Sequence, residues 1–375
     1  MARTIVIAPD SFKGTIGAAA AAAALAAGWR RETPSDDVRL LPMADGGEGT
    51  VDAFAAAVPD ARRMPVTVTG PEGTPVAASW VLLPPSPDAP RGTGVVELAN
   101  TSGIELLGTP PRLRAFDAHT RGFGEAIADA LAHGVSRLVL GIGSSSSTDG
   151  GTGMLTALGA RFADAAGSPI ADGARGLGAL SAADLSGLAP LPPHGVTVLS
   201  DVTNPLLGAR GAAAVFGPQK GARPADVGEL DAGLARLAAL VDADPDAAGA
   251  GAAGGTGFGL LAWGAQLVPG SAAVAELVGL DAAVAAASVV VTGEGSYDGQ
   301  SAAGKVPAHV GALAAAASVP VALVAGRITT DADTSGFAAT ASLTALAGSS
   351  EAAMQDPARW LTEAGAVLAR AFTVR

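Results

Sequence analysis

The chain has 375 residues, of which 49% are hydrophobic and 15% charged, so it is long enough for two domains of ordinary size and too apolar for extended disorder. Its formal net charge of −12 disfavours a nucleic-acid partner, because binding to a phosphate backbone depends on clustered Lys and Arg. The sequence contains no cysteine, which excludes disulfides, thiolate metal ligands and cysteine nucleophiles, and a cytoplasmic location is therefore expected.

The first predicted elements are a strand, a polar loop and a helix. Thr4–Pro9 is a short apolar run with β-branched side chains, and an Ala-rich helical run follows it. That run, Ala18–Gly28, is far too short to span a membrane and is flanked by charges, so we expect neither a targeting peptide nor a transmembrane span. The same order recurs along the chain and predicts parallel α/β sheet. The recurring apolar runs are Val38–Met43, Arg137–Ile142, Val196–Leu199 and Ser288–Thr292.

A different pattern follows the second predicted strand. The runs Val66–Thr69, Val76–Leu83 and Val95–Leu98 succeed one another without a helix, which predicts antiparallel sheet and hence a second domain. Pro84–Arg91 is expected to be a surface excursion, and Asp244–Gly255 a flexible connection. Near the C-terminus strand-like and helical runs alternate again, so the first and last parts of the chain are expected to share one sheet.

Lysine is rare in this chain and always stands beside glycine. The three lysines are Lys13, Lys220 and Lys305, and arginine supplies the other cations. Compact ammonium groups in Gly-flanked turns indicate contacts to a phosphate or a carboxylate. The alternative is that coding bias has removed surface lysines and that these three are accidental.

Aspartates follow several predicted strands. Asp10, Asp45, Asp201 and Asp298 each come just after an apolar run. Ligands of open α/β sheets bind at the carboxyl ends of the strands, so this placement indicates a ligand crevice. Each aspartate taken singly is explained equally well as an Asx-turn.

A run of small residues, Gly143–Gly151, separates a predicted strand from the predicted helix Thr152–Phe162. Its N–H groups, its hydroxyls and the helix N-terminus are suited to an anion, so we expect it to bind phosphate or substrate. The alternative is a Ser/Gly turn with an aspartate cap. The residues concerned are Ser144, Ser145, Ser146, Ser147, Thr148, Asp149, Gly150 and Gly151.

Several familiar motifs are incomplete or missing. Gly299–Lys305 has P-loop spacing, but Val306 and Pro307 stand where a Mg²⁺-binding hydroxyl and the next helical residue are required. We therefore expect Lys305 in a tight, approachable loop without a Walker fold. The sequence has no dinucleotide-binding glycine motif, paired-histidine metal motif or serine-hydrolase elbow, which disfavours those three classes.

Long strings of residues carry a family resemblance. They are Ala8–Gly14, Met43–Thr50, the loop ending Asp149–Gly151, Asn204–Gly208, Val215–Gly221, and Thr292–Gly295 with Asp298–Ser301. In this order the chain resembles the type I glycerate kinases (glycerate 2-kinase like) over most of its length. Two places depart from the family pattern: the loop is richer in serine, and Ser296 and Tyr297 follow Gly-Glu-Gly where the family usually has Arg and a hydrophobic residue.

The resemblance implies two α/β domains, one flavodoxin-like or Rossmann-like with a parallel sheet and one with a mixed sheet inserted into it. On this basis we predict the first domain over residues 1–65 plus 286–375 and the inserted domain, with the Ser/Gly loop, over 66–285, with the active site in the cleft between them. The resemblance also implies transfer of the ATP γ-phosphoryl group to D-glycerate with Mg²⁺ as cofactor. The favoured product is 2-phosphoglycerate, with 3-phosphoglycerate as the alternative. Glycerate and ATP are the expected partners of a monomer or homodimer that binds neither nucleic acid nor membrane.

Phosphoryl transfer requires mainly positioning and charge neutralisation. We hypothesise that Lys13 and Lys220 neutralise the reacting phosphates or the glycerate carboxylate. Asp10, Asp45 and Asp201 would orient the hydroxyls, and Asp201, or in second place Asp10, would accept the proton of the attacking hydroxyl. The further assignments are substrate binding by Ser11, Asp45, Asn204 and Lys220, phosphate binding by the Ser/Gly loop and Lys305, and Mg²⁺ binding by Asp298 and Glu294.

Other functions stay open at this level. A kinase for another small hydroxy or sugar acid would be separated by a panel of acceptors tested with ATP. A non-catalytic, two-lobed ligand-binding protein would show no ATP hydrolysis stimulated by a hydroxy acid. An oxidoreductase would change the absorbance of a nicotinamide nucleotide.

Overall fold

The computed structural model describes residues 3–12, 14–44, 46–299 and 306–373. The strands are β1 Thr4–Pro9, β2 Asp37–Leu40, β3 Arg62–Thr69, β4 Pro75–Leu83, β5 Thr93–Glu97, β6 Arg137–Gly141, β7 Arg161–Ala163, β8 Ala182–Asp184, β9 Val196–Leu199, β10 Gln266–Val268, β11 Val289–Tyr297, β12 Val321–Ile328 and β13 Ala339–Ser342. The helices are α1 Ala18–Glu32, α2 Thr50–Ala57, α3 Ala99–Ser102, α4 Arg121–His133, α5 Thr152–Ala157, α6 Ala174–Leu177, α7 Ala212–Phe216, α8 Val227–Ala238, α9 Ala252–Trp263, α10 Gly270–Leu277, α11 Leu280–Ala285, α12 Val306–Ala316, α13 Leu343–Ala347, α14 Ser350–Gln355 and α15 Pro357–Ala371. Within these residues no helix is both long and apolar enough to cross a membrane.

The chain folds into two compact units. Unit 1 contains the described residues of 1–45, 52–59 and 269–375, and unit 2 contains residues 46–51 and 60–268. The domain ranges predicted from the sequence, 1–65 plus 286–375 and 66–285, stay predictions and are kept separate from these two units.

Unit 1 is built on a parallel sheet with the strand order β13-β12-β11-β1-β2. Counted in chain order within the unit, this is the 2-1-3-4-5 order of flavodoxin-like folds. The first and last parts of the chain therefore share one sheet. Its topological switch point lies between β1 and β11, which is where ligands of such sheets bind.

The core of unit 1 lies where α1 and α15 pack on one face of this sheet. Ile5 and Ile7 of β1, Leu25 of α1 and Leu361 of α15 are fully buried in one cluster. The helices approach each other closely at Gly28, where a Cβ atom would lie 1.8 Å from the carbonyl oxygen of Thr362. Only glycine allows this approach, so an Ala-rich helix with one glycine suits this face of α1.

Unit 2 is built on a mixed sheet with the order β10-β9-β6-β5-β4-β3. β5, β6, β9 and β10 run parallel, whereas β4 is antiparallel to β3 and β5. The three runs that were predicted to be antiparallel form β3, β4 and β5, in which β4 pairs antiparallel with both neighbours. The predicted fold class, a flavodoxin-like parallel α/β fold together with a mixed-sheet α/β fold, is confirmed.

Some predicted elements end elsewhere in the structure. The helix expected over Thr152–Phe162 ends at Ala157, because Gly159 adopts φ +111° and packs against Gly187, where a Cβ atom would lie 2.2 Å from the carbonyl oxygen. The strand expected to end at Thr292 continues as β11 to Tyr297, so the Gly-Glu-Gly motif lies within the sheet. There Gly293 leaves room for β12, since a Cβ atom would lie 2.2 Å from the carbonyl oxygen of Val324.

The segment Asp244–Gly255, expected to be a flexible connection, instead packs into unit 2. Ala250 and Ala252 are buried in its core cluster. The start of α9 contains consecutive positive φ values at Ala253, Gly254 and Gly255, of 53°, 67° and 87°. This left-handed stretch lets the chain turn tightly against the Ser/Gly loop. There Gly150 N donates to Gly254 O at 3.1 Å.

Candidate functional site

Three predicted site residues lie at the switch point of unit 1. Asp10 directly follows β1, and its N–H donates to the carbonyl oxygen of Gly293 at 2.8 Å. The register of β1 and β11 therefore places Asp10 beside Glu294, and both residues are buried, with 8% and 7% exposure. The Asp10 carboxylate also accepts the N–H of Ser11 at 2.6 Å. Asp10, Ser11 and Glu294 thus come together at the edge where a flavodoxin-like sheet binds its ligand.

The two candidate Mg²⁺ ligands lie on the second half of β11 and just after it. Glu294 lies inside the strand and Asp298 directly follows its end, so roughly 13 Å of extended backbone separates them. In the described part of the chain no three Asp, Glu or His side chains come together in a metal-binding group. Carboxylate oxygens nevertheless suit Mg²⁺, which commonly takes one or two from the protein and the rest from phosphates and water. Glu294 with its neighbour Asp10 fits that requirement better than Glu294 with Asp298.

In unit 2 the loop Gly46–Val51 lies over the carboxyl ends of the parallel strands. Gly46 O accepts a hydrogen bond from Gly143 N at 2.9 Å. Gly46 has φ +93°, and a Cβ atom there would lie 2.4 Å from the carbonyl oxygen of Leu199 at the end of β9. The carboxylate of Glu97, the last residue of β5, accepts from Gly49 N and Val51 N. Gly46 is therefore required by close packing over the end of β9, whereas at Gly49 the positive φ of 85°, and not packing, favours glycine.

The Ser/Gly loop follows β6 and is tied down by its own serines. Ser144 adopts φ +56°, and its carbonyl oxygen accepts from Ile104 N at 2.9 Å. Ser146 Oγ donates to the carbonyl oxygen of Ser102 at 2.7 Å. Ser145, Ser146, Ser147 and Thr148 are all buried. The serine-rich loop is thus bonded to the segment Ser102–Ile104.

Lys220 supports this loop from inside unit 2. Its side chain is 2% exposed, and its Nζ donates to Ser145 Oγ at 2.8 Å and to the carbonyl oxygen of Ser147 at 2.5 Å. Burial lowers the pKa of the ammonium from 10.5 to about 7, and attraction to the Asp149 carboxylate opposes this shift. The structure therefore brings Lys220 and the Ser/Gly loop together, with the lysine beneath the loop.

Asp149 holds the end of the loop. Its Oδ2 accepts from the N–H and the hydroxyl of Thr120, at 2.9 and 2.8 Å, and from Gly153 N at 3.3 Å. Its Oδ1 accepts from Gly151 N at 3.2 Å. The Asp149 carboxylate thus accepts from N–H groups at the start of α5. This is the arrangement of the aspartate-cap alternative, whereas the anion interpretation assigned these N–H groups to a bound phosphate. Phosphate contacts by Asp149 and by the start of α5 remain predictions.

Two hydroxyl groups of the loop are buried without a hydrogen-bond partner. They are Ser147 Oγ and Thr148 Oγ1, and both side chains have 0% exposure. Leaving a buried polar group unsatisfied costs about 1–3 kcal/mol, so such groups concentrate at functional sites. These two hydroxyls and the Lys220 ammonium therefore give the buried side of this loop a polar character.

Replacing Gly254 by alanine should destabilise unit 2 by at least about 2 kcal/mol, because φ +67° strains a side-chain residue and the added Cβ would lie 2.0 Å from Ser147 O and 2.8 Å from Lys220 Nζ. Denaturant unfolding measures the change. The matched control is Gly228→Ala at the start of α8, where a Cβ meets nothing within 4 Å and a small stabilisation is expected. Equal effects of the two substitutions would contradict the close packing of α9 on the loop.

The remaining predicted residues are placed as follows. Asp201 is exposed directly after β9, and Asn204 Nδ2 donates to the carbonyl oxygen of Arg210 at 2.8 Å. Both lie at the carboxyl end of the strand next to β6. Lys13, Asp45 and Lys305 lie outside the described residues.

Sequence reasoning missed two charged residues at these sheet edges. Glu97 was treated as part of an apolar strand, although a charged residue in such a run must be paired when it is buried. Arg327 lies in β12 opposite Ser296, and its Nη2 is 3.5 Å from Ser296 Oγ. In the sequence Arg327 follows the apolar run Val319–Val324, so a search for cations as well as aspartates after each such run would have found it.

Comparisons with known proteins agree on one family. The model of the glycerate kinase family matches residues 5–373. Over 334 residues the chain is 42% identical to the glycerate 2-kinase of Escherichia coli K12, covering 87% of this chain and 86% of that protein. It is also 42% identical over 334 residues to the glycerate kinase of Bacillus subtilis 168, with the same coverage of 87% and 86%.

A solved structure extends the likeness to the fold. The crystal structure of a candidate glycerate kinase 2 from Salmonella typhimurium LT2 has a TM-score of 0.84 and 40% identity, and the match covers 100% of this chain and 99% of that chain. The resemblance predicted from the residue strings is therefore confirmed. This chain belongs to the glycerate kinase family and is a phosphotransferase with an alcohol group as acceptor.

Proposed function

We propose that the protein transfers the γ-phosphoryl group of ATP to D-glycerate and forms 2-phosphoglycerate. The observation that carries this proposal is the family match over residues 5–373. The likeness to a relative named glycerate 2-kinase supports the 2-hydroxyl as acceptor. In the reaction the glycerate oxygen forms a bond to the γ-phosphorus, the bond from that phosphorus to the β-γ bridging oxygen breaks, and ADP leaves.

The residues of unit 2 provide a phosphate-binding loop in this proposal. The Lys220 ammonium lies beneath Ser145 and Ser147 in a water-poor interior, where a charge acts more strongly than in solvent. Ser144–Gly151 would bind phosphate over this charge, and Lys305 would contact it from a separate turn. Asn204 would contact the substrate from the end of β9.

In this proposal the acidic residues accept the proton of the attacking hydroxyl and bind Mg²⁺. Asp201 is exposed at a strand end and would accept the proton of the attacking hydroxyl, with Asp10 as the second candidate. Asp45 and Ser11 would orient the substrate hydroxyls. Glu294, beside Asp10, would hold Mg²⁺, and Asp298, which follows β11, is the second predicted ligand. When bound, the ion would neutralise part of the charge on the ATP phosphates.

The test is the structure of the product. D-glycerate and ATP are incubated with the protein, and ³¹P and ¹³C NMR identify which carbon carries the phosphate. We expect 2-phosphoglycerate together with stoichiometric ADP. Formation of 3-phosphoglycerate would overturn the regiochemistry, and turnover only with another acid from an acceptor panel would overturn the substrate.

Lys13→Ala should remove most of the turnover and leave the melting temperature nearly unchanged, because an ammonium that neutralises a reacting phosphate contributes to the transition state. Steady-state kinetics and thermal unfolding of the same preparation measure both quantities. A fully active variant would eliminate this role for Lys13.

A further inference from the structure

Glu97 is a buried carboxylate that belongs to none of the assigned site residues. It ends β5 with 3% exposure. Its Oε1 accepts from Gly49 N at 3.2 Å, and its Oε2 accepts from Val51 N at 2.9 Å. One carboxylate therefore binds the loop Gly46–Val51 with both of its oxygens.

These hydrogen bonds satisfy N–H groups at the start of α2 that have no acceptor within the helix. Gly49 directly precedes α2, and Val51 is its second residue, so neither N–H has a partner within the helix. The N-terminal end of a helix also favours a negative charge. A buried carboxylate is stable only when it is hydrogen-bonded in this way, so Glu97 and the loop depend on each other.

The glycines of the loop give it little conformational preference of its own, and within the loop the carbonyl oxygen of Gly47 accepts from Thr50 Oγ1 at 2.7 Å. Gly46 and Gly49 both have positive φ, of 93° and 85°, and glycine confers no conformational preference of its own. Gly46 O is bonded to Gly143 N at the start of the Ser/Gly loop. Glu97 thus holds the C-terminal end of the loop Gly46–Val51, and the N-terminal end of the loop contacts the proposed phosphate loop. In the sequence, the residue before Gly46 is Asp45.

We propose that Glu97 is a positioning residue for the acceptor substrate, acting through the loop Gly46–Val51. Its two carboxylate oxygens hold the loop in the conformation in which the acid is bound. The proposal rests on the proposed function in one respect, the assignment of Asp45 to binding of the acceptor. It assigns Glu97 no contact with substrate.

Glu97→Gln tests this role with a minimal change of shape. Glutamine offers one acceptor oxygen and an NH₂ donor, so one of the two backbone N–H groups would face another donor. We expect the KM for D-glycerate to rise about tenfold or more, because misplacement of binding groups by about 1 Å has effects of this size or larger. The KM for ATP should stay within about twofold of the wild-type value.

The matched control is Glu125→Gln in the same unit. Glu125 also accepts with both oxygens, from Thr69 N at 2.6 Å and Thr69 Oγ1 at 3.0 Å, but at the end of the edge strand β3. We expect this variant to keep both KM values. Circular dichroism and active-fraction measurements show whether both proteins are folded.

Three outcomes would overturn the role of Glu97. These are a glycerate KM equal to that of Glu125→Gln, an equal rise of both KM values, or a fall in kcat that follows the folded fraction with both KM values unchanged. Should Glu97→Gln fail to fold, Glu97→Asp keeps the buried charge with a shorter reach, and the same rise in the acceptor KM is expected. If the wild type uses another acid, that result refutes the proposed substrate, and the comparison is made with the acid that is used.

Discussion

Lys220→Met should lower kcat/KM by a factor of about 100 to 1,000 while the protein stays folded. Methionine has nearly the length of lysine but neither charge nor donor. The substitution removes the bonds to Ser145 Oγ and to the carbonyl oxygen of Ser147, and with them the positive potential beneath the loop. The loss of two hydrogen bonds, each contributing about 1 kcal/mol, is offset by relief of the burial of a charge, so we expect stability to change by no more than about 2 kcal/mol.

The comparison needs variants that separate charge from geometry. Lys220→Arg should also be poorly active, because a Cβ atom at Gly254 would already lie only 2.8 Å from Nζ, which leaves little space for a guanidinium. Arg236→Met is the control, since it removes another cation of unit 2 that donates to a backbone carbonyl, that of Leu177 at 3.0 Å. Near wild-type kcat/KM for Lys220→Met would refute the role of Lys220 in supporting the loop.

The free energy of unfolding of unit 2 should rise with pH above neutrality, and Lys220→Met should abolish this rise. In the folded protein the pKa of Lys220 is about 7, and in the unfolded chain it returns towards 10.5. Between these values the unfolded chain binds a proton that the native protein lacks, so raising the pH favours the native state. Below a pH of about 7 both states carry the proton and this contribution is constant.

The expected slope is up to about 1.4 kcal/mol per pH unit. Over two pH units the free energy of unfolding of the wild type should therefore rise by about 2–3 kcal/mol relative to that of Lys220→Met. Denaturant unfolding between pH of about 7.5 and 9.5 measures the difference. Trp80 and Trp263 of unit 2 report the transition by fluorescence, and the same tryptophans are present in both proteins. Parallel pH profiles for wild type and variant would show that the ammonium is not desolvated.

Local patterns in the sequence predicted most of the elements. Thr4–Pro9 and Val196–Leu199 are strands with the expected bounds, and the runs that form β3, β4 and β5 are antiparallel where no helix separates them. These predictions succeed because hydrophobic periodicity and turn residues act over a few neighbouring positions. The helix expected over Thr152–Phe162 was too long because Gly159 is needed by a distant partner, Gly187, which no local pattern reveals.

The residues of the candidate site were easier to name than to arrange. The Ser/Gly loop and Lys220 were both singled out from the sequence, but their arrangement was not predicted: the lysine is buried beneath the loop, and the Asp149 carboxylate accepts from Thr120. Glu97 was missed because its partners lie 46 to 48 positions away in the chain.

The alternation of strands and helices, the scarcity of lysine and, through long strings of residues, the family can all be read from the amino-acid sequence. Which of these residues meet depends on the folded chain. Lys220 reaches Ser145 across 75 positions, and Asp149 reaches Thr120 across 29. Such contacts depend on the order of the strands and on the packing of glycines against distant carbonyl oxygens, and neither is encoded in the short-range preferences of the chain.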